Sequence, residues 1–262
     1  MKDPRIYQIV SLCFFLFSGF FWFSFEIPFV QIVTTFTSVL FFQFLFVKIF
    51  KVSPNPLSAI VTGFSLCLLF RTNQLELVLL CAFLSIGSKF LIRKDNKHIF
   101  NPANFGIVAM LLISDSVWVS PGQWGNFLFF TFLFFCFGLF VVVKAFRTDT
   151  AISFLGFYAA MLFLRSYYLG DPVSIPLHKL QSGAILLFSF FMISDPMTIP
   201  NHRRGRIVHA FLVALGAYLW QFKVYKPNGF LWILFWASLL VPLWDYIWKA
   251  PKYNWVQKEK IG

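Results

Sequence analysis

The stretch Phe100-Asn101-Pro102-Ala103-Asn104-Phe105-Gly106 opens an apolar segment that ends near residue 113. This segment is too short to cross a membrane, because a spanning helix needs about 20 apolar residues. A second stretch, Lys226-Pro227-Asn228-Gly229-Phe230, opens another apolar segment with a similar order of residue types. Short or interrupted helices at corresponding places in a chain are typical of membrane proteins built from two related halves. These two stretches therefore predict a repeated architecture.

The composition predicts an integral membrane protein. Of the 262 residues, 59% are hydrophobic and 12% charged, and the mean hydropathy is +0.75. These values exclude a soluble globular domain. The formal net charge is +12, but the basic residues fall between long apolar runs, so we exclude nucleic acid as a partner and expect the lipid bilayer. The many aromatic residues suit lipid contact or a flat ring-shaped ligand.

Apolar runs between charges, prolines and turn residues predict an all-α fold of about ten membrane segments: 7–25, 28–47, 57–70, 74–92, 100–113, 125–143, 150–169, 182–194, 206–222 and 228–248. The third, fifth and eighth segments have only 13 or 14 residues. The third and the eighth take the same place in successive groups of five, which predicts an inverted repeat. We expect one membrane domain, 1–262, with halves 1–120 and 121–250 and a basic tail 249–262. The alternative is that the short segments are ordinary short helices with capping residues.

The distribution of Lys and Arg predicts the topology. With the N-terminus in the cytoplasm, 17 of the 22 basic residues fall on the cytoplasmic side, and the other five are Arg71, Arg165, Lys179, Lys223 and Lys226. This asymmetry favours ten crossings with both termini cytoplasmic. We expect the membrane to be of the bacterial inner (plasma) type. The apolar run 7–25, which follows the basic start of the chain, is interpreted as the first membrane helix and not as a cleaved signal peptide.

The residue types exclude several kinds of site. The four cysteines lie in apolar stretches without a Cys-x-x-Cys spacing, so we expect small buried hydrophobic side chains and no disulfide or zinc site. Three of the four histidines fall in predicted loops, which argues against haem ligation. The ionisable residues lie near segment ends, which argues against a central proton relay. No catalytic residue and no metal site is predicted.

Two features of the eighth segment are candidates for ligand binding. Ser182 and Gly183 open the segment just after Lys179, and the N-H groups of a helix start favour a phosphate. The segment ends in Ser194-Asp195-Pro196-Met197-Thr198, where Asp195 can accept a hydrogen bond from a ring N-H or from a backbone amide. The alternative is that Asp195 only caps a turn before Pro196.

These motifs resemble the NqrB/RnfD family, the flavin-carrying membrane subunits of sodium-pumping NADH:quinone oxidoreductase and of the Rnf complex. The resemblance rests on the run from Phe100 to Gly106, the Ser182-Gly183-Ala184 opening and the exit from Ser194 to Thr198. It implies ten helices in two inverted halves, a fold related to urea and ammonium channels, and electron transfer through a flavin. It also implies partner subunits on either side of the membrane.

The resemblance implies a set of cofactor-binding residues: Asn101, Asn104, Lys179, Ser182, Gly183, Asp195 and Thr198. The three near the start of the eighth segment would hold the phosphate or ribityl end of the flavin, and the other four would address the polar edge of its ring. The family esterifies FMN to a Thr in a Ser-Gly-Ala-Thr motif, whereas this chain has Ile185 at that position. Because Ile has no hydroxyl group, we expect FMN or riboflavin to bind non-covalently. The alternative is that the Asn and Asp side chains only satisfy backbone groups freed where helices break.

Three functions remain open from the sequence. The first is a subunit for flavin-mediated electron transport that works with partners and is not a stand-alone enzyme. The second is a transporter or channel for a small solute, such as a flavin, with the same fold. The third is a structural or assembly subunit. The electron carrier would purify coloured, whereas the transporter would be colourless and show uptake into vesicles.

Overall fold

The computed structural model describes residues 3–22, 27–95, 97–120 and 128–255, most of which are helical. The first part of the chain forms α1 (Pro4–Phe21), α2 (Phe29–Phe50), α3 (Pro56–Leu69), β1 (Phe70–Thr72), α4 (Leu75–Leu91), β2 (Arg93–Lys94), β3 (Lys97–His98), α5 (Pro102–Ile113) and β4 (Val117–Val119). The second part forms α6 (Leu128–Lys144), α7 (Thr148–Leu169), α8 (Ser174–Leu180), α9 (Gly183–Leu187), a π-helical turn (Phe188–Met192), α10 (Arg203–Phe222), α11 (Gly229–Ser238) and α12 (Val241–Ile247).

A helix occurs in each of the ten predicted segments. The eighth segment contains α9 and the π-helical turn, and the tenth is broken into α11 and α12. The sequence did not predict α8. Parts of the predicted first and sixth segments, 23–25 and 125–127, lie outside the described residues. So do three of the predicted cytoplasmic residues, Lys2, Lys258 and Lys260.

Among the described residues, three helices are long and apolar enough to cross a membrane: α1, α2 and α7. The count rises to five if two bent pairs each form one span. One pair joins α8 to the segment 183–192 at 51°, and the other joins α11 to α12 at 50°. The chain is therefore an all-α integral membrane protein, and ten crossings remain a prediction. As expected, α3 and α5 are short, with 14 and 12 residues.

The same order of helix packing occurs in both parts of the chain. In the first part, α2 packs on α4, α4 on α5, and α1 on α3. In the second part, α7 packs on α10, α10 on α11, and α6 on α9. Contacts between α1 and α6 and between α5 and α11 join the two parts.

A buried arginine closes the C-terminal end of the short helix α3. The guanidinium of Arg71 donates to the carbonyl oxygens of Cys67, Leu68 and Phe70 at 2.7–3.3 Å. The side chain of Gln31 donates to the Phe70 oxygen at 3.1 Å. The last carbonyls of a helix have no partner within it, so these donors satisfy them away from water. Strand β1 then pairs antiparallel with β4, so the ends of α3 and α5 are tied together.

One end of the molecule carries most of the described buried cations, and we call it the basic end. Arg206 on α10 makes a buried ion pair with Asp149 on α7 at 2.6 Å. Lys97 on β3 pairs with Asp245 on α12 at 2.7 Å, and Asp245 also accepts from the backbone N of Asn201. These contacts hold the hairpin of β2 and β3, α7, α10 and α12 together at this end.

Two of the five cations predicted for the other side of the membrane lie at the opposite end of the molecule. Arg165 and Lys179 both lie over the ring of Phe222, at 4.3 and 4.4 Å from its centroid. Helix α10 has 20 residues and runs from the basic end to Phe222, a distance of about 30 Å. This separation agrees with the predicted charge asymmetry, whereas the side of the membrane that each end faces remains a prediction.

The prediction for the cysteines was wrong for two of the four. Cys67 and Cys81 are buried, but Cys13 and Cys136 are exposed on the outer faces of α1 and α6. The surface of a membrane protein that faces hydrocarbon is itself apolar, so a thiol in an apolar run need not face the protein interior. All four cysteines are free thiols.

Gly106 allows α5 to approach α4 closely. A Cβ atom at this position would lie 1.8 Å from Ser85 Oγ and 3.0 Å from the carbonyl oxygen of Cys81. Small residues at helix interfaces permit such close backbone contact in membranes. The close packing of α5 on α4 therefore requires the glycine at the end of the stretch Phe100–Gly106.

We expect Gly106→Ala to lower the free energy of unfolding by about 1–3 kcal/mol, as over-packing of a core does. Thermal unfolding of the detergent-purified protein measures this as a lower midpoint temperature. The control is Gly156→Ala on α7, where an added Cβ has no neighbour within 4 Å. An equal loss of stability in both variants would contradict the close contact.

Candidate functional site

A cavity of about 370 Å³ opens at the basic end. It lies between the first turn of α1, the start of α3, the last turn of α4 and the segment after the π-helical turn. Its volume is within the range of small-molecule pockets, about 300–1,000 Å³. Polar groups that line it include Arg5, Gln43, Thr62, Lys89, His98, Asn101 and Asp195, and its aromatic residues are Phe90, Phe190, Phe191 and Trp255.

Asn101 joins the two parts of the chain at this cavity. Pro102 occupies the first turn of α5, so Asn101 takes the N-cap position, and its Oδ1 accepts from the backbone N of Asn104 at 3.1 Å. Its Nδ2 donates to Asp195 Oδ2 at 3.2 Å. The start of α5 is therefore hydrogen-bonded to the turn that follows the π-helical segment.

In the described part of the chain, the carboxylate of Asp195 accepts hydrogen bonds from neutral donors only. Its Oδ1 accepts from the backbone N of Met197 at 3.0 Å, which is the turn geometry that a residue before Pro196 favours. Burial raises the pKa of Asp195 above its usual value, against the hydrogen bonds from Met197 and Asn101. None of the described cations lies within 4.0 Å of the carboxylate. It can accept a further hydrogen bond from a ligand N-H.

Two more of the predicted residues support this arrangement without lining the cavity. Asn104 is fully buried, and its Nδ2 donates to the carbonyl oxygen of Leu231 on α11 at 3.2 Å. Thr198 Oγ1 donates to the carbonyl oxygen of Asp195 at 3.3 Å. The contact of Asn104 links the start of α5 to the first turn of α11, and the contact of Thr198 closes the turn after Asp195.

The other three predicted residues lie elsewhere. Lys179 is at the opposite end of the molecule, over the ring of Phe222. Ser182 and Gly183 lie at the start of the segment 183–192, and Asp195 follows the other end of this segment. Ten helical residues span about 15 Å. The structure therefore brings Asn101 and Asp195 together and separates them from Lys179, Ser182 and Gly183. Ile185, at the position of the family's esterified Thr, is buried in α9.

Lys89 is the functional candidate that the sequence analysis did not select. It lies in the last turn of α4, is 5% exposed and lines the cavity. Its Nζ donates to Gln43 Oε1 at 2.9 Å, and the described residues provide no carboxylate partner. An ammonium group has three donors, so two remain for other acceptors. In the sequence, Gln43 and Lys89 each interrupt an apolar run near its end. A polar residue at the same place in two membrane segments was the signal that could have indicated their contact.

His98 adds a neutral acceptor beside Lys89. It lines the same cavity, and its Nδ1 is buried without a partner among the described residues. Burial, with the charges of Lys89 and Arg93, lowers the pKa of His98 to about 3, so the imidazole is neutral at pH 7. Buried polar atoms are nearly always hydrogen-bonded, so an orphaned one at a cavity indicates a ligand or a water.

Comparison with known proteins identifies the family. The model of the NQR2, RnfD, RnfE family matches residues 117–254, which is more than half of the chain. The chain belongs to this family. The match includes the opening at Ser182 and the turn at Asp195, and it confirms the resemblance on which the sequence analysis relied. Asn101 and Asn104 precede the matched residues.

Curated members of the NQR2, RnfD, RnfE family are similar to part of the chain. An RnfD-type protein from Citrobacter koseri, described as belonging to an ion-translocating oxidoreductase complex, is 33% identical over 111 residues, which are 42% of this chain and 32% of the relative. A protein of the same description from Escherichia coli O1:K1 is 31% identical over 113 residues, with the same coverage of both chains. The match thus spans about a third of the length of these relatives.

Two substitutions of Asp195 distinguish the role of its turn hydrogen bond from the role of its negative charge. Asp195→Asn keeps an oxygen for Met197 N and removes a buried charge, but its Nδ2 cannot accept from Asn101 Nδ2, so the free energy of unfolding should fall by less than in Asp195→Ala. Asp195→Ala removes the acceptor and should lower the free energy of unfolding by about 1–2 kcal/mol. Thermal unfolding of both variants measures the difference. Equal destabilisation would mean that the carboxylate charge, and not the turn, is what the fold requires.

Proposed function

We propose that the chain is an RnfD-type membrane subunit for electron transport that holds a flavin, FMN or riboflavin, without a covalent bond. The flavin would bind in the cavity at the basic end. The observation that carries this proposal is the convergence of Asn101, Asp195 and the buried ammonium of Lys89 on one cavity. These are the polar groups that the edge of an isoalloxazine ring requires.

The donors and acceptors at the cavity fit the ring chemically. The pyrimidine edge of a flavin has two carbonyl oxygens that accept hydrogen bonds and one ring N-H that donates. Asp195 would accept from the N-H, and the amide of Asn101 would donate to a carbonyl. Phe190 and Phe191 offer apolar faces that pack against flat rings and exclude water. A flavin supplies reversible uptake of one or two electrons.

Lys89 would serve as the fixed positive charge beside the ring. A buried ammonium with a neutral partner costs free energy, which a negative charge on a ligand offsets. Reduction adds negative charge to a flavin, so this residue would favour the reduced form. A phosphate of FMN would offset the same cost, whereas riboflavin carries no phosphate.

The assembly that we propose has partner subunits. The similar proteins are described as subunits of an ion-translocating oxidoreductase complex, so electrons would reach and leave this protein through others. We infer two inverted halves, which the repeated packing order of the helices supports. We also infer a bacterial inner membrane with both termini cytoplasmic, which the separation of Lys179 and Arg165 from the basic end supports.

The flavin content of the purified protein tests the proposal. We expect a flavin absorption spectrum that dithionite bleaches and a flavin that acid precipitation releases into the supernatant. Asp195→Ala combined with Asn101→Ala should lower the flavin content at least tenfold, because both polar contacts to the ring are lost. The matched control, Lys179→Gln with Ser182→Ala, changes the other predicted residues and should keep the flavin.

The outcomes distinguish the alternatives. Flavin retained in the acid pellet would mean a covalent bond and contradict the proposal. Loss of flavin only in the Lys179 and Ser182 variant would move the site to the opposite end of the segment 183–192. Colourless protein that takes up riboflavin into vesicles would replace the electron carrier by a transporter.

We expect Lys89→Met to weaken flavin binding while leaving the protein equally or more stable. The substitution removes a buried charge whose partner is a neutral amide, so the folded state loses a desolvation cost. The midpoint potential of any bound flavin should fall by about 30 mV or more, about 1.4 kcal/mol for two electrons. Flavin titration, potentiometry and thermal unfolding measure these effects.

The control for this variant is Lys48→Met, an exposed lysine on α2 that does not line the cavity. It should change neither the flavin affinity nor the potential. If Lys89→Met destabilises the protein and leaves the potential unchanged, Lys89 has only a structural role.

A further inference from the structure

A second cavity, of about 310 Å³, lies at the basic end between the hairpin of β2 and β3 and the chain around α12. Two contacts bound it. Lys97 pairs with Asp245 at 2.7 Å, and Lys252 Nζ donates to the carbonyl oxygen of Asp95 at 2.8 Å. We call it the hairpin cavity. His98 lines both this cavity and the first one, so the two are neighbours.

The rim of the hairpin cavity has an excess of positive charge. Lys94, Lys249 and Lys252 are exposed and line it. The described residues give Lys94 and Lys249 no ion-pair partner, and Lys252 donates only to a backbone carbonyl. Asp245 is already paired with Lys97, so the exposed carboxylate of Asp95 is the counter-charge that remains at the rim. An anion would therefore find two or three ammonium groups within one cavity.

The remaining wall of the hairpin cavity is mostly apolar. Its apolar part is formed by Ile99, Val241, Pro242, Ala250 and the ring of Tyr246, and the neutral polar side chains of His98 and Asn201 complete the lining. A free inorganic anion gains nothing from such a wall. A phosphodiester that carries hydrocarbon chains would place its charge among the lysines and its first methylene groups against these side chains.

The position of α12 fits the membrane interface. Helix α12 follows a bend of 50° from α11, and its exposed side chains include Leu243, Tyr246 and Ile247. Trp244 lies in α12 and Trp248 directly follows it, and their rings stack with the centroids 5.7 Å apart. Trp and Tyr are enriched where the hydrocarbon meets the headgroups, and basic pockets next to membrane helices bind anionic headgroups.

We propose that the hairpin cavity binds the phosphate group of an anionic phospholipid. The lysines at its rim would hold the headgroup, and the apolar wall with α12 would hold the start of the acyl chains. Because this ligand ties the hairpin to α12, its binding should also raise the thermal stability of the protein. The proposal does not depend on flavin binding.

The test is binding of short-chain lipids to the delipidated, detergent-purified protein. We expect dioctanoyl phosphatidylglycerol to bind at least tenfold more tightly than dioctanoyl phosphatidylcholine and to raise the unfolding temperature. Lys94→Gln, Lys249→Gln and Lys252→Gln together should abolish this preference. The control is Lys48→Gln, Lys51→Gln and Arg204→Gln, three exposed cations that line neither cavity.

Three results would overturn the proposal. Equal binding of inorganic phosphate and phosphatidylglycerol would indicate a site for free phosphate. Equal loss of the preference in both triple variants would indicate diffuse attraction to the basic end. An unchanged preference in the cavity variant would place the lipid elsewhere. If the cavity variant does not elute as a monodisperse protein, Lys249→Glu alone, which alters one exposed side chain, must weaken phosphatidylglycerol binding at least threefold.

Discussion

Inside an apolar protein, the backbone N-H and C=O groups at the ends of broken helices need hydrogen-bond partners. At the basic end, the hydrogen bonds of the Asn101 side chain meet this constraint. Its side chain caps α5 and holds Asp195 after the π-helical turn. Asn104, one turn later, holds the carbonyl oxygen of Leu231 on α11. At the other end of the short helices, Arg71 satisfies the carbonyls of α3. Such side chains satisfy backbone groups at the breaks away from water, some within the same segment and some, such as Gln31 at the Phe70 carbonyl, from another.

The same breaks create the cavity. The starts of α3 and α5 and the end of the segment 183–192 meet around it, and the space between these helix ends is not filled by the described side chains. The walls include polar side chains that have no ion-pair partner among the described residues. Lys89 is the clearest case, because a buried ammonium held by a neutral amide costs free energy that a neutral residue would avoid. Asp195, which lines the same cavity, acts on this charge from beyond ion-pair distance, and a negative charge on a ligand would offset more of the cost.

Local sequence predicted the features that depend on local chemistry. Asn101 before Pro102 predicts a helix start, and Asp195 before Pro196 predicts a turn, and both occur. The shortness of the third, fifth and eighth segments was also visible in their length and flanking residues, whereas the break of the tenth segment into α11 and α12 was not predicted. These signals act over a few residues, so a single sequence contains them.

Features that depend on contacts between distant segments could not be predicted in the same way. The pairing of β1 with β4, the contact of Gln31 with the Phe70 carbonyl and the contact of Lys89 with Gln43 join positions that are far apart in the chain. The separation of Ser182 from Asp195 follows from the helical form of the residues between them, which the motifs alone do not give. Helix α8 was missed because its Pro and His residues interrupt the apolar pattern. The number of membrane crossings depends on how the short helices lie in the bilayer, which neither composition nor helix length determines.

The most direct measurement is a density map, by electron cryo-microscopy, of the protein purified with its native ligands. Our account predicts planar density for a flavin ring at the basic end, in contact with Asn101, Asp195 and Lys89, and no density continuous with Ser182. An empty cavity at the basic end, or a flavin bound beside Ser182 and Lys179, would contradict it.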